Sequence, residues 1–406
     1  MNQKGGFMGQ WQFHTPDGVA DLLPQECAAK RQLETRLRRL FAERGYLEIE
    51  TPAIEFYDVY ATGSGPVPQE GLFKFFDQQG RILCLRYDGT VPTARLAATL
   101  YRETPPPLRF CYLGSMYRYN EYGGGRQREF GQAGIELLGS NTPEADAEVI
   151  ATAIAAAKCC GIEDLQVTIG QVAFYRGLLA EWNISGDEAA LLPHLIDSKQ
   201  QVALEELSDR LALPDKARHV LALITDGFGQ ADRLDELADL VSHPIALDAL
   251  RNLRAVLDIL TDYQMRPYVS ADLGLLQSLN YYSGMIFKGF TYGLGFPLFS
   301  GGRYDQLVGA FGRNLAATGF SIGTSLALTA LQRQGKPAGQ IPQPILLGFA
   351  RGQRAAALVL AECWRREGKS VITAGAGPEW TEQTAAAAGP VALLDDTGRL
   401  SWLKER

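Results

Sequence analysis

The chain is poor in the residues that build metal centres and disulfide frameworks. It has only four histidines among 406 residues, and none is spaced to complete a metal site with a cysteine, so zinc is not expected. Its six cysteines (Cys27, Cys84, Cys111, Cys159, Cys160 and Cys363) are scattered without a pairing pattern and read as core fillers in a reducing cytoplasm. No apolar run approaches the roughly 18 to 20 residues that cross a bilayer. The opening MNQKGGFMGQWQFH has no apolar core of the kind a secretory signal carries. Basic residues show no excess: the formal net charge is -7, which argues against general nucleic-acid binding, though a local basic patch is compatible with it. Neither an internal repeat nor a low-complexity tract occurs. What remains is ordinary for a globular protein of more than one domain: 46% hydrophobic, 21% charged, 20 prolines.

Hydrophobic spacing divides the chain. Pro24 suits a first helical turn, and Leu33, Leu37, Leu40 and Phe41 then form one stripe, predicting a helix to about Gly45. GYLEIETPAIE alternates up to Pro52 and reads as a strand at an edge or interface. Strands are expected over residues 81–87, 108–120 and 128–138, close enough in sequence for antiparallel pairing. A helix follows over about 141–158. From about 186 to 264 leucines recur at spacings of three and four, and SKQQ at Ser198 to Gln201 reads as a capping box. This block reads as a helical insertion at about 170–265. Strands resume at LNYYSGMIFKGF and PLFSGG, and residues 319–332 read as a helix. Residues 333–344, RQGKPAGQIPQP, read as a linker, which separates a core of residues 1–332 from a small α/β piece over 345–406.

The chemistry gathers around one hairpin. Along 128–138, Phe130, Gln132, Gly134 and Glu136 share a face, while Ala133, Ile135 and Leu137 share the other and are plainly core. A Gln and a Glu on the first face fit a solvated surface as well as a site, and the strand alone leaves both readings open. Other residues tilt the balance: Asp88 and Thr90 in LRYDGT, Arg118 and Arg126 in the hairpin, the tyrosines of LNYYSG, and GGRYD after them. Singly each is weak. Together an acid, a hydroxyl, an amide, an arginine and aromatic rings suit a small zwitterion with a polar ring.

With these motifs quoted in order, from PDGVADLLP through GYLEIETPAIE, LRYDGTVPTARLA, YRYNEYGGGRQREFGQAGIELLG, SLNYYSGMIFKGF, SGGRYDQLVGAFG and GFSIGTSLALTAL, the chain resembles the catalytic core of class II histidyl-tRNA synthetases over about residues 10–332. The resemblance implies an α+β fold: a six- or seven-stranded antiparallel sheet flanked by helices, with the helical insertion, a dimer across the first motif, and a shortened anticodon-binding-like C-terminal piece. It implies that Asp88, Thr90 and Gln132 hold the amino group of L-histidine, with Asp88 one carbon shorter than the usual glutamate. By the same resemblance Arg118 meets the carboxylate, and Glu136, Tyr282 and Tyr304 lie against the imidazole. Those roles suit the groups, since a carboxylate accepts from a ring N–H and a guanidinium pairs with a carboxylate.

The departures from the synthetases fall on nucleotide handling. Where those enzymes have Arg-Gly-Leu-Asp-Tyr-Tyr this chain has QSLNYY, which puts Gln277 and Asn280 at the arginine and aspartate positions. GTSL puts Ser325 and Leu326 where the third motif has Glu-Arg, and Asn120 replaces an acid after the motif-2 arginine. Loss of a positioned cation from a phosphoryl-transfer site costs orders of magnitude in rate. This pattern resembles the regulatory subunits of ATP phosphoribosyltransferase, synthetase paralogues that serve the short-form catalytic subunit in the first step of histidine biosynthesis. The resemblance implies no catalytic residue, no cofactor and no metal. It also implies a homodimer within a hetero-octamer, histidine as an allosteric feedback signal, and no tRNA partner. Arg126 and Arg128 are then vestigial, exposed or part of an interface. From Ile341 onward eight Lys/Arg face seven Asp/Glu, without the basic excess of an RNA-binding remnant, so the C-terminal piece reads as structural or partner-facing. Two alternatives stay open: an active histidyl-tRNA synthetase, and a synthetase-like tRNA sensor or scaffold.

Overall fold

Pro24 opens the first helix, α1 (Pro24–Glu43), and the Glu26 carboxylate accepts from the Leu23 N–H at 2.9 Å, satisfying a donor at its start. Leu33, Leu37 and Phe41 are fully buried on one stripe, and Gly45, at φ +78, ends the helix in the left-handed region. The structure is a computed structural model that describes residues 13–61, 67–119, 127–226, 233–276, 281–336, 339, 341–376, 380, 384 and 389–404. Two compact units divide the chain, Met1–Ala338 and Gly339–Arg406.

The alternating segment after α1 does not form one strand. It breaks into β1 (Leu47–Glu48), on the edge of the main sheet, and β2 (Ile54–Phe56), in a small sheet of order β2-β4-β3 with β3 (Lys74–Phe76) and β4 (Ile82–Leu85). Pro52 brings no N–H to a ladder. The Arg86 guanidinium takes the Thr51 carbonyl at 2.6 Å and its backbone N–H takes that of Ala53, so the chain turns from one sheet to the other. A short helix α2 (Tyr57–Ala61) follows, and α3 (Thr90–Thr99) starts directly after LRYDG.

The hairpin of β5 (Leu108–Tyr117) and β6 (Glu129–Leu138) holds the second and third places in the main sheet. After α4 (Pro143–Cys159), the main sheet gains β7 (Leu165–Gln171), β8 (Val269–Ala271), β9 (Met285–Thr291), β10 (Phe299–Arg303) and β11 (Ala317–Gly323), in the order β1-β5-β6-β11-β10-β9-β7-β8. Among the described residues, eight strands thus stand where six or seven antiparallel ones are expected. The inner pairs are antiparallel, and both edges, β1 on β5 and β8 on β7, are parallel. Residues 319–323, read above as helix, belong to β11, which pairs with β6 on one side and β10 on the other; the helix α11 begins only at Thr324 and ends at Arg333. The apolar residues of FSIGTSLALTAL fit either period locally, and ladder bonds on both sides decide for the strand.

Among the described residues, six helices fill the insertion: α5 (Val172–Glu181), α6 (Gly186–Asp197), α7 (Gln201–Arg210), α8 (Asp215–Thr225), α9 (Leu234–Leu240) and α10 (Pro244–Asp262). Leu204, Leu207, Leu253, Val256, Leu257 and Leu260 are buried at the expected spacing. The capping box at Ser198 is not formed. Ser198 is the C-cap of the preceding helix rather than the N-cap of the next, its hydroxyl donates back to the His194 carbonyl at 2.5 Å, and Lys199 turns the chain at φ +52. Beneath the sheet, Ala147, Ala151, Ala153, Ala156 and Ala157 of α4 are all buried, so the helix lies close against strands bearing Ile135, Phe320 and Ile322. Among the described residues, no helix is long and apolar enough to cross a membrane.

The second unit is a sheet of order β13-β12-β14-β15, with β12 (Ile345–Phe349), β13 (Val371–Gly375) and β14 (Val391–Leu394) parallel and β15 (Leu400–Lys404) antiparallel. Its helix α12 (Arg354–Arg366) buries Ala357, Ala361 and Trp364 against Leu347 and Leu394.

Candidate functional site

The two faces of β6 differ as its alternation requires. Ala133, Ile135 and Leu137 enter the core, while Gln132 and Glu136 point to the opposite face, 6% and 1% exposed. That face is cleared by small residues. Glu136 pairs with Gly319 of β11, where a Cβ would run into Glu136 Oε2; Gly134 pairs with Tyr112, whose hydroxyl would lie 2.5 Å from a Cβ at 134. One end of the face is closed by α3, where Ala94, Ala97, Phe110 and Leu138 pack with Tyr304.

At the edge of that packing, Thr90 Oγ1 donates to Glu136 Oε1 at 2.6 Å, and the Tyr304 hydroxyl donates to Oε2. The buried Tyr112 hydroxyl faces the same carboxyl and Thr90, but without the alignment of a hydrogen bond. Burial dominates the ionisation of Glu136: it pushes the pKa up to about 8, and the hydroxyl donors only partly oppose it. Burial thus favours the neutral acid over the carboxylate around neutral pH. Asp88 is half-buried and sits at the head of α3, where its Oδ1 accepts from the Val91 N–H at 3.0 Å. Desolvation raises its pKa, while that N–H and the nearby Arg118 charge work the other way. Part of the Asp88 carboxylate is therefore engaged by the helix it precedes.

The Arg118 guanidinium lies between two rings, 4.5 Å from the centroid of Tyr87 and 5.0 Å from that of Phe130. With Gln132 and Tyr282 it lines a cavity of about 1110 Å³, walled on the other sides by α1, β9, β10 and α11. Gln132 Nε2 donates to Ser321 Oγ at 3.0 Å, and its Oε1 is buried without a partner. Tyr281 stacks on Tyr304 with centroids 5.5 Å apart and meets Tyr282 edge-on at 4.8 Å. The seven candidate residues thus fall into two adjoining groups. Thr90, Glu136 and Tyr304 form a closed hydrogen-bonded patch with Asp88 beside it, whereas Arg118, Gln132 and Tyr282 face the open cavity. Tyr282 joins the two, since the charges of Glu136, Asp88 and Arg118 all act on its hydroxyl.

A family model for histidyl-tRNA synthetase matches residues 18–326. The ATP phosphoribosyltransferase regulatory subunit of Acetivibrio thermocellus is 46% identical over 394 residues, 96% of this chain and 94% of that one. Its counterpart from Ruminiclostridium cellulolyticum is 42% identical over 366 residues, covering 90% and 87%. The chain belongs to the ATP phosphoribosyltransferase regulatory subunit family. The crystal structure of an ATP phosphoribosyltransferase regulatory subunit/histidyl-tRNA synthetase from Bacillus halodurans matches with a TM-score of 0.83 at 31% identity, over 96% of this chain and 98% of that one. A histidyl-tRNA synthetase from a Nostoc species, 20% identical with a TM-score of 0.80 over 97% of each chain, shares the fold. The fold is accordingly the class II, histidyl-tRNA synthetase-like one: a mixed sheet flanked by helices.

Within this family frame, three of the positions that depart from the synthetases, Asn120, Gln277 and Asn280, lie outside the described residues, as does Arg126. Leu326 lines the cavity from α11, and the neighbouring Ser325 Oγ accepts the Gly131 N–H at 2.9 Å, tying the helix to β6. Three lysines, Lys30, Lys288 and Lys336, also line the cavity, and each has an acid nearby. Lys30 pairs with Glu34 at 3.8 Å, Lys336 with Glu163 at 3.9 Å, and Lys288, whose pKa burial lowers, sits in the field of Asp197. Arg128 is not a plain surface residue: it is half-buried, its N–H donates to the Gly18 carbonyl at 2.7 Å, and its guanidinium lies 5.1 Å from the Tyr119 ring. Among the described residues no group of three His, Cys, Asp or Glu could hold a metal ion. The candidate set omitted Tyr112, Tyr281 and Ser321. Tyr112 had a signal, for the hairpin register sets it opposite Gly134, between Gln132 and Glu136.

Proposed function

We propose that the chain is a non-catalytic subunit that binds L-histidine at the Glu136 patch and the adjoining cavity wall. In this reading it relays the ligand as a feedback signal to a separate short-form catalytic subunit of ATP phosphoribosyltransferase. Glu136 takes the imidazole N–H between Tyr282 and Tyr304, Asp88, Thr90 and Gln132 take the ammonium, and Arg118 takes the carboxylate. The observation that carries the reading is Gln132 Oε1, a buried acceptor without a partner within the same face as a buried glutamate already oriented by two hydroxyls. The pair suits a small ligand bearing two separate N–H groups. The assembly fitting this role is a homodimer, joined through the region after α1, within a hetero-octamer. The relatives' shared name supports the regulatory role. Linkage then requires that histidine and the catalytic partner shift each other's binding equally.

Titration calorimetry with histidine tests the pocket. Glu136→Ala is expected to weaken binding by about 10- to 100-fold, the range for leaving a buried polar group without its hydrogen-bond partner, while unfolding remains cooperative. Unchanged affinity would falsify the assignment. Phosphoribosyl transfer by a short-form catalytic subunit, measured with and without this chain and histidine, tests the role. A second reading, an active histidyl-tRNA synthetase, is favoured by the family model and by the three lysines along the cavity. Histidine-dependent pyrophosphate exchange would establish it and remove the regulatory one.

A further inference from the structure

Two segments bring tyrosines to the site, 281–283 before β9 and 303–305 at the end of β10, and a double clasp holds them together. Ser283 Oγ donates to Asp305 Oδ2 at 2.7 Å while accepting the Asp305 N–H at 3.0 Å, and the Ser283 N–H donates to the Arg303 carbonyl at 2.7 Å. Ser283 directly follows Tyr282, and Asp305 directly follows Tyr304. The clasp is anchored in turn. Asp305 Oδ1 accepts from Arg303 Nη1 at 3.1 Å and from the Ala317 N–H at 3.0 Å. Arg303, 5% exposed, reaches Asp146 of α4 through Nε at 3.2 Å and the Ser140 carbonyl through Nη1 at 3.0 Å. A chain of charge-assisted bonds thus runs from the helix under the sheet to the aromatic segments over it. None of its members bonds to Glu136.

We infer that Asp305 is a positioning residue of the amino-acid pocket. Acting through Ser283, it fixes Tyr282 relative to Tyr304, and so sets where the Tyr304 hydroxyl holds the Glu136 carboxyl for an imidazole-bearing amino acid. The inference rests on the histidine reading and explains how that site keeps its shape. β9 and β10 are ladder neighbours, so the backbone sets the spacing of the two segments, but the direction of a ring hydroxyl, on which its bond depends steeply, is left to side-chain contacts such as the clasp.

Histidine calorimetry and urea unfolding on the full chain test it, using Ser283→Ala, Ser283→Thr, Asp305→Ala, Tyr304→Phe and the double variant Ser283→Ala/Tyr304→Phe. Ser283→Ala and Asp305→Ala are expected to weaken histidine about tenfold, with Ser283→Thr, which keeps the hydroxyl, within about threefold of the parent. In the double variant the loss should fall well short of the product of the single losses, because both act on the Tyr304–Glu136 bond; a purely structural role gives independent, multiplying effects. If Asp305→Ala does not fold, Ser283→Ala and the cycle decide. Parent-like affinity in Ser283→Ala, or a double loss equal to the product, overturns the inference while leaving the histidine reading in place. A parent chain that takes up no histidine overturns both.

Discussion

The two faces of the main sheet obey opposite rules although they share the same strands. On the α4 side, Ile135, Phe320 and Ile322 meet alanines and aromatic rings, and Phe320 stands edge-on to Phe41 at 6.1 Å. Apart from the paired Arg303 and Asp146 and a few threonines, the groups packed there are apolar, so most of the burial is favourable without any requirement for direction. On the other side, Glu136, Gln132 and Tyr304 are buried, with Thr90 half-buried beside them, but they carry polar atoms that must be matched one by one. The first face supplies stability to the fold. The second draws on it, and holds what it holds only because the first has stability to spare.

That contrast can be broken from either side. The largest effect is expected on the apolar face: Phe320→Ala should cost about 3–5 kcal/mol, read from urea unfolding, through lost contacts and a cavity that α4 is too closely packed to fill. A cost below about 1 kcal/mol would show that this face is not the main source of stability. The next lies on the polar face and depends on pH. The folded-state pKa of Glu136 is raised to about 8 from 4.5. Below pH 4.5 both folded and unfolded forms hold the proton; between that value and about 8 only the folded form does, so stability falls as pH rises, by at most about 1.4 kcal/mol per unit, and levels off above. Glu136→Gln should flatten that slope and be more stable than the parent near pH 8. Equal slopes in parent and variant, from urea midpoints between pH 5 and 9, would mean that the carboxyl ionises freely. The smallest effect belongs to Ser321→Ala, which removes the Gln132 Nε2 bond and should cost about 0.5–1.5 kcal/mol in stability. Its histidine affinity sharpens the comparison, since it touches the orientation of Gln132 and no part of the core.

The same contrast explains what could be read from the sequence. Alternation along β6 separated Ile135 from Glu136 because one strand face is apolar and the other is not, and the leucines of α10 showed their stripe because a helix on a surface has one. β7 went unread since six of its seven residues are buried, leaving no alternation to see. The parallel edges were invisible because β1 has two residues and β8 three, pairings that exist only once the rest of the sheet is in place. The chemical groups of the site were legible as types. Their division into a closed patch and a cavity wall was not: Asp88 reads as a free acid until α3 starts beside it, and Tyr112 becomes part of the site only through its register with Gly134. The Ser198 capping box failed for the same reason, since a serine reads alike whether it ends one helix or begins the next.

The room on the polar face is made by subtraction. At Gly319 and Gly134 the neighbours Glu136 and Tyr112 occupy the place of the missing Cβ, and at Gly302 the Tyr282 ring would stand 2.8 Å from one. Any substitution at these positions can only add atoms, so sequence drift there runs in one direction, toward filling the hollow. A residue exchange elsewhere in the sheet trades one fit for another; here it erases the vessel before it alters what the vessel prefers.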